Sequence, residues 1–375
     1  MHSWHNISQC FSRNCSWEDP GNESNWGFEP PMNVFPIPVL TGITIVCALL
    51  FLVGVTGNVM TILVVSRYRD MRTTTNLYLC SMAVSDLLIF LCMPPDLYRL
   101  WRYRPWRFGD ALCKLFLFVS ESCTYSTILN ITALSVERYL AICFPLRAKA
   151  LVTKRRVRLL ILALWAVSLL SAGPVFVIVG VERDEYGAGP GESVENGDTS
   201  ECKMTQYAIR SGLLAAMVWV SSVFFFLPVF CLTVLYTLIG RRLWKRRRET
   251  NIGPCVAHRD KSNRQTIKML VVVVLAFVLC WFPFHVGRYL LSRSSEEGSP
   301  WWSLLSEYCS LVSVVLFYLS AAINPILYNT MSRKYRSAAA RLFGLAASQV
   351  PPRGRTASTA VGEGSPAWTN STVSL

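Results

Sequence analysis

Asp86 and Glu121 are the residues whose type and position most clearly imply chemistry, because each acid lies inside a long apolar stretch. A charge in such a stretch is costly in a membrane, so it needs a partner or a function. Asn58 and Asn324 lie in other apolar stretches, and we expect them to face Asp86. This centre would be either a structural hydrogen-bond cluster or a cation-sensitive switch, and sodium is the cation considered at Asp86.

A second chemically active group, Glu137-Arg138-Tyr139, ends another apolar stretch. Its arginine can pair with the neighbouring glutamate, reach toward another helix, or simply extend to the membrane surface. Four further stretches contain an internal proline: Pro174, Pro228, Pro283 and Pro325. Since proline removes a backbone hydrogen bond, each one favours a kink, which is either static or a hinge.

The elements that must hold these side chains are seven apolar helices. Of the 375 residues, 52% are hydrophobic and only 16% are charged, which is too few charges for an ordinary soluble protein. A helix needs about 20 apolar residues to cross the hydrocarbon core. Seven stretches qualify, namely residues 30–66, 73–95, 115–136, 159–181, 211–240, 269–287 and 308–332. We therefore predict an all-α membrane protein with a seven-transmembrane helix bundle.

The distribution of charge predicts how this bundle lies in the membrane. Lysine and arginine concentrate in the loops on the side of the membrane that holds the C-terminus. Acids predominate in the loops on the side that holds the N-terminus. Basic loops stay in the cytoplasm, so we place the N-terminus outside the cell and the C-terminus inside, in the plasma membrane. The net charge of +14 then follows from topology, and we predict no nucleic-acid partner.

The N-terminal tail and the cysteines agree with this orientation. Glycosylation sequons begin at Asn6, Asn14 and Asn22. Of the 13 cysteines, Cys113 and Cys202 both fall on the outer, oxidising side, so we expect a disulfide bond between them. Cys10 and Cys15 either form a second bond or remain as thiols.

Motifs in all seven stretches match one known pattern. They are Gly57-Asn58, Ala83 with Ser85-Asp86, Glu137-Arg138-Tyr139, Trp165, Pro228 with Tyr236, Cys280-Trp281-Phe282-Pro283 and Asn324-Pro325-Ile326-Leu327-Tyr328. Over residues 39–345 the chain resembles the rhodopsin-like class of G-protein-coupled receptors. Any one motif is weak, but their order and orientation leave little room for chance.

Within that class, the chain most resembles the ghrelin (growth hormone secretagogue) receptors, with motilin receptors as the alternative. The resemblance lies in residues 72–79, 81–94, 119–125, 211–235 and 317–329. It implies a peptide hormone that carries an acyl chain. Two features depart from the pattern: residues 182–203 form a long, acidic and glycine-rich segment, and Leu117 stands where a polar glutamine is expected. Both leave the affinity and the identity of the ligand open.

The resemblance implies a ligand cavity on the outer side. Glu121 in the third stretch and Arg288, directly after the sixth, can form an ion pair that either divides the cavity or merely fastens two helices. The resemblance favours binding, with Glu121 receiving a cationic group of the ligand. Ser120 occupies the position where amine receptors carry an aspartate, which argues against an amine ligand. The full set of expected ligand-binding residues is Glu121, Arg288, Asp96, Arg99, Phe284, His285 and Ser120.

The same resemblance implies a switch that couples the cavity to the cytoplasmic side. Its expected members are Asp86, Asn58, Glu137, Arg138, Tyr139, Trp281, Phe277, Ile128, Pro228, Tyr236, Asn324, Pro325 and Tyr328. In relatives an acid at the base of the sixth stretch often locks the resting state, but residues 262–268 contain none. We therefore expect appreciable signalling without a ligand.

The implied cytoplasmic partner is a heterotrimeric G protein of the Gq type, which activates phospholipase C and releases calcium. Arg138 and Leu146 are the expected contacts. The basic run after the fifth stretch can also attract membrane lipid. Thr356, Ser358 and Thr359 are candidate phosphorylation sites for receptor kinases and arrestin.

These expectations divide the chain into four parts. They are an extracellular glycosylated tail (1–37), the bundle (38–330), a short amphipathic helix on the cytoplasmic membrane surface (331–345) and a disordered cytoplasmic tail (346–375). A transporter or channel is the main competing class, but the sequence has no visible inverted repeat. It has no catalytic motif either, so we predict a receptor without enzyme activity or cofactor.

Overall fold

The computed structural model of the chain describes residues 35–102, 104–183, 200–248, 254–297, 300–331 and 333–342. Within these residues, seven helices are long and apolar enough to cross a membrane. We number them helix 1 to helix 7, with membrane segments Ile37–Arg67, Thr74–Trp101, Gly109–Cys143, Lys154–Ile178, Leu213–Lys245, Val271–Leu290 and Leu304–Thr330. The predicted fold is confirmed. Helices 2 and 3 extend past their predicted spans. The predicted spans end earlier because the helix ends carry charged residues, which limit the apolar stretches.

Several helices continue beyond their membrane segments or are interrupted within them. Helices 5, 6 and 7 run over Leu213–Arg248, Pro254–Glu297 and Pro300–Met331, and each has an internal proline. Helix 2 consists of Thr74–Leu91 and Met93–Trp101, because Pro94 and Pro95 cannot donate to the preceding turn. Helix 4 is divided in the same way into Lys154–Ala172 and Val175–Ile178 by Pro174.

Short elements and threonine caps join these helices. Thr73 and Thr153 precede helices 2 and 4, and each hydroxyl accepts a hydrogen bond from the backbone N–H three residues later. Such caps satisfy groups that a helix end otherwise leaves without partners. The connecting elements are a 3-10 turn (Arg69–Met71) and the helices Pro145–Leu151 and Gln206–Arg210.

A β-hairpin, which was not predicted from the sequence, lies between helices 4 and 5. Strand β1 (Val179–Arg183) pairs antiparallel with strand β2 (Ser200–Met204), and Glu182 lies opposite Glu201. Residues 184–199 lie outside the described part. A disulfide bond joins Cys202 of β2 to Cys113 near the start of helix 3, which confirms the predicted pair. We call this end of the bundle the hairpin end and the opposite end the Arg138 end.

Helix 1 approaches helices 2 and 7 through two glycines. A Cβ atom at Gly54 would overlap the ring of Phe90, and one at Gly57 would lie 2.6 Å from Cγ of Pro325. Only glycine fits this close approach. The neighbouring Asn58 donates a side-chain hydrogen bond of 3.1 Å to the backbone oxygen of Ala321 in helix 7.

A short helix, Arg333–Leu342, follows helix 7 within the predicted segment 331–345. Tyr335 is buried with Ala338 and Ala339 against Val64 of helix 1, in a small apolar cluster. The hydroxyl groups of Tyr335 and Thr61 are 2.7 Å apart. Burial raises the pKa of the Tyr335 hydroxyl.

Candidate ligand cavity and activation switch

A cavity of about 280 Å³ lies at the hairpin end of the bundle. Helices 2 to 7 form its sides, and the hairpin contributes Val179, Lys203 and Met204. Among the predicted ligand-binding residues, those that line it are Asp96, Arg99, Ser120, Glu121, Phe284 and Arg288. The helices therefore bring nearly all of the predicted set to one cavity. Leu117 also lines it, one turn before Glu121.

Glu121 and Arg288 form the predicted ion pair across helices 3 and 6. Arg288 Nη1 lies 3.3 Å from Glu121 Oε1, and the two side chains are only 18% and 11% exposed. The guanidinium group of Arg288 also lies over the ring of Phe284, 4.5 Å from its centre. Because a buried charge pair loses much of its hydration, it contributes specificity more reliably than stability.

Two neighbours of this pair were missed in the sequence. Ser221 of helix 5 accepts a 3.0 Å hydrogen bond from Arg288, and the Tyr125 hydroxyl donates a 2.7 Å bond to Glu121. Tyr125 follows Glu121 by four residues, a spacing that places both on one helix face, so its contact was open to prediction. Ser221 offered no such signal, because its position depends on how helix 5 packs against helix 6.

Asp96 and Arg99 lie together at the hairpin end of helix 2. Their charged groups are 3.8 Å apart, and Asp96 also accepts a 2.8 Å hydrogen bond from the hydroxyl of Tyr318 in helix 7. Asp96 is thus already committed to two neighbours. Arg99 is one-third exposed, so it is the member of this group more open to a ligand.

His285 differs from its predicted place in the wall of the cavity. It lines a much smaller neighbouring pocket, with Tyr125, Phe224 and Phe277, and its ring lies 4.4 Å from that of Phe225. Glu121 lines both pockets. His285 therefore supports the residues beneath the cavity instead of facing the space where a ligand would bind.

The buried centre of the bundle contains Asp86. Asn324 of helix 7 donates a 3.0 Å hydrogen bond to its carboxylate, as predicted. Asn58 does not fill the role expected for it: its amide donates to the backbone oxygens of Gly54 and Ala321, because helix 1 packs so closely on helix 7. The side chains of Asp86 and Asn324 thus join helices 2 and 7 directly. Helix 1 is joined to helix 7 through the backbone oxygen of Ala321.

An aromatic cluster lies between the cavity and the Arg138 end. Trp281 packs 5.8 Å from Phe277 and 5.4 Å from both Phe284 and Phe317, measured between ring centres. Ile128 of helix 3 belongs to the same buried core. Since Trp281 and Phe284 line the cavity and Phe277 packs against Trp281, the apolar core is continuous from the cavity to Phe277.

At the other end of helix 3, Arg138 contacts helix 2. Its Nη2 atom lies 2.5 Å from Glu137 Oε1 and 2.5 Å from the hydroxyl of Thr75. The same glutamate oxygen accepts a 2.7 Å hydrogen bond from Thr74. Thr74 and Thr75 were not predicted. Thr75 supplies Arg138 with a partner on helix 2, and Thr74 binds Glu137, whereas an acid on helix 6 had been the partner sought.

The three switch tyrosines contact residues other than Arg138. The Tyr236 hydroxyl lies 2.6 Å from the Ser135 hydroxyl, and that of Tyr328 lies 3.8 Å from the sulfur of Met82. Tyr139 packs near Phe144, which precedes the helix Pro145–Leu151. On that helix Leu146 is 83% exposed.

The family follows from the chain's similarity to known proteins. Residues 57–328 match the family described as 7 transmembrane receptor (rhodopsin family). Since this match covers well over half of the chain, the chain belongs to that family. It is a rhodopsin-like G-protein-coupled receptor, a multi-pass protein of the plasma membrane, and a receptor instead of an enzyme.

Its relatives narrow the class further. The chain is 62% identical to the human growth hormone secretagogue receptor type 1 over 359 residues, which cover 95% of this chain and 94% of the relative. The mouse protein of the same name is also 62% identical, with the same coverage. The human motilin receptor is 48% identical, with 88% of each chain covered. The resemblance to growth hormone secretagogue receptors seen in the motifs is therefore confirmed.

Proposed function

We propose that this chain is a receptor for an acylated peptide hormone of the ghrelin type. The observation that carries the proposal is the buried Glu121–Arg288 pair in the wall of a mainly apolar cavity. In this role the carboxylate of Glu121 receives a cationic group of the peptide, while Arg288, Asp96 and Arg99 provide further polar contacts.

The apolar wall of the cavity supports an acylated ligand. It includes Leu117, Val175, Ile178, Met204, Leu214, Met217 and Phe284. Each methylene group of an acyl chain buried there contributes about 0.8 kcal/mol, so four such groups change affinity by about two orders of magnitude. The apolar Leu117 enlarges this wall at the position where a polar residue was expected.

A motilin-type ligand is the second candidate. The chain is less similar to the human motilin receptor than to the secretagogue receptors, at 48% against 62% identity. Residues 184–199, which contain most of the unusual acidic segment, lie outside the described part. The choice between the two peptides therefore rests on relatedness and on the apolar wall.

A calcium-release assay tests the proposal. Cells that express the full chain are treated with acylated ghrelin, unacylated ghrelin or motilin, and untransfected cells serve as the control. We expect a response to acylated ghrelin and a loss of potency of about two orders of magnitude without the acyl chain. Equal potency of the two ghrelin forms would refute the acyl-binding role, and a response to motilin alone would favour the second candidate.

On the opposite side, we propose that the Arg138 end is cytoplasmic and receives a G protein of the Gq type. Leu146 supports this role, because an exposed apolar side chain suits insertion into a partner. Arg138 is the second contact, once Glu137 and Thr75 release it. Basic residues at the end of helix 5, such as Arg241 and Arg242, would also attract anionic lipid.

The proposed switch works by differential binding, since a ligand shifts an equilibrium only as far as it prefers one state. Pressure on Trp281 repacks Phe277 and Ile128 near Pro228, and helix 6 then moves at the Arg138 end. Tyr236 and Tyr328 leave their present partners to approach Arg138. Because the described contacts of Arg138 involve helices 2 and 3, basal activity is expected to be appreciable.

Asp86 is a proposed sodium site. Its carboxylate is buried and accepts a hydrogen bond from Asn324. An anionic oxygen suits a hard cation. Bound sodium would supply charge that balances the carboxylate in the resting state.

The remaining expectations also stay proposals. They are the extracellular location of the hairpin end, the four-part division of the chain, glycosylation at Asn6, Asn14 and Asn22, and the tail sites for receptor kinases and arrestin. The three sequons, Cys10 and Cys15, and the tail sites all lie outside the described residues.

A further inference from the structure

Glu201 in strand β2 is a buried acid outside the proposed switch. The residue is only 1% exposed. An ionised carboxylate in such a place is costly unless cations pair with it. Two cations do so: the Nε atom of Arg104, in the loop between helices 2 and 3, contacts one carboxylate oxygen, and Lys203 Nζ lies 3.1 Å from the other.

The backbone of that loop also contacts β2. The N–H of Trp106 donates a 2.8 Å hydrogen bond to the backbone oxygen of Ser200, and the Ser200 hydroxyl donates one of 3.2 Å in return to the Trp106 oxygen. Trp106 itself is only 3% exposed. The ion pair between Arg104 and Glu201 therefore adds a side-chain contact beside the two hydrogen bonds that join Trp106 to Ser200.

Lys203 connects this cluster to the ligand cavity. Successive side chains of a strand alternate between its faces, so Glu201 and Lys203 share one face, while Cys202 points the other way to its disulfide partner. Lys203 also lines the cavity, as do Arg99 and Arg288. The carboxylate of Glu201 thus balances the charge of Lys203, the third cation in a cavity wall that also holds Arg99 and Arg288.

We propose that Glu201 is a positioning residue of the ligand site, which joins the loop between helices 2 and 3 to β2 and holds the ammonium group of Lys203 in the cavity wall. This inference rests on the proposed function of the cavity. Without the carboxylate, the ammonium group of Lys203 loses the negative charge that lies 3.1 Å from it. The positive charge of Lys203 then disfavours the cationic ligand group assigned to Glu121.

Hydrogen exchange of the purified full chain, without ligand, tests the loop contact. Glu201→Gln should speed exchange in the peptide that contains Trp106 several-fold, and Glu201→Asp should largely restore the wild-type rate. Glu182→Gln is the matched control, because it removes the acid opposite Glu201 but leaves the pairs with Arg104 and Lys203 intact. An unchanged Trp106 peptide in Glu201→Gln would overturn the proposal.

A double-mutant cycle tests the effect on binding, with acylated ghrelin as the probe. Glu201→Gln should lower potency about tenfold at unchanged maximal response, and this loss should largely disappear when residue 203 is glutamine. An equal loss with Lys203 and with Lys203→Gln would overturn the positioning role. If Glu201→Gln fails to reach the cell surface, Arg104→Gln tests the loop contact while Lys203 still balances the carboxylate.

The two experiments separate this inference from the proposed function. If the wild-type chain does not respond to acylated ghrelin, the ligand assignment fails. Hydrogen exchange, which needs no ligand, still decides whether Glu201 fastens the loop to β2.

Discussion

At the scale of single residues, the charge of Glu121 should matter more than its hydrogen bonds. Glu121→Gln keeps the size of the side chain but removes the negatively charged partner of Arg288. A charged hydrogen bond is worth about 1.5–3 kcal/mol, so we expect agonist potency to fall by about tenfold or more at equal surface expression. Concentration–response curves for calcium release, with receptor number measured by surface labelling, provide the measurement.

Tyr125→Phe is the matched control for that change. It deletes the 2.7 Å hydrogen bond to Glu121 but leaves the carboxylate charged and paired with Arg288. Its effect on potency should be clearly smaller. Equal potency of Glu121→Gln and the wild-type chain would show that the ion pair only fastens helices 3 and 6.

Charged residues were the part of the site most open to prediction. A charge in an apolar helix must have a partner, so the pairs Asp86–Asn324 and Glu121–Arg288 could be proposed from the sequence. Neutral hydroxyl groups carry no such requirement. Ser221 and Tyr318 therefore emerged only from the packing of the helices.

At the scale of elements, the Arg138 end of helix 6 should control basal activity. Arg138 is held by Glu137 and Thr75, and we predict that Asn263→Glu adds an acid on helix 6 that also favours the resting state. A partly exposed ion pair of about 1 kcal/mol shifts a two-state equilibrium about fivefold. Ligand-free inositol phosphate accumulation should fall accordingly.

Asn263→Gln controls for side-chain size at that position and should leave basal output near the wild-type level. Both variants need the same amount of receptor at the surface. Unchanged basal output in Asn263→Glu would indicate that helix 6 is restrained by other contacts.

The elements themselves were predicted unevenly. Long apolar stretches identified all seven helices, because crossing a membrane sets both their length and composition. The hairpin was missed since β1 begins within the apolar run that continues helix 4, through Val179 and Val181. Its pairing depends on β2, on the disulfide bond and on the loop that holds Trp106, all of them distant in sequence.

At the scale of the whole molecule, the orientation in the membrane is the most general prediction. The concentration of lysine and arginine on one side predicts that the Arg138 end lies in the cytoplasm. With an epitope tag at each terminus, antibodies should stain only the N-terminal tag on intact cells and both tags after permeabilisation. Staining of both tags on intact cells would contradict the seven-span topology.

The meeting of Gly57 with Pro325 has a consequence for how the whole bundle can move. The proline ring rests on a stretch of bare backbone, because helix 1 presents no side chain there. Because no side chain of helix 1 interlocks with Pro325, we expect helix 7 to turn about its axis at this contact. Such a turn would displace Tyr328 sideways and break the hydrogen bond from Asn58 to Ala321.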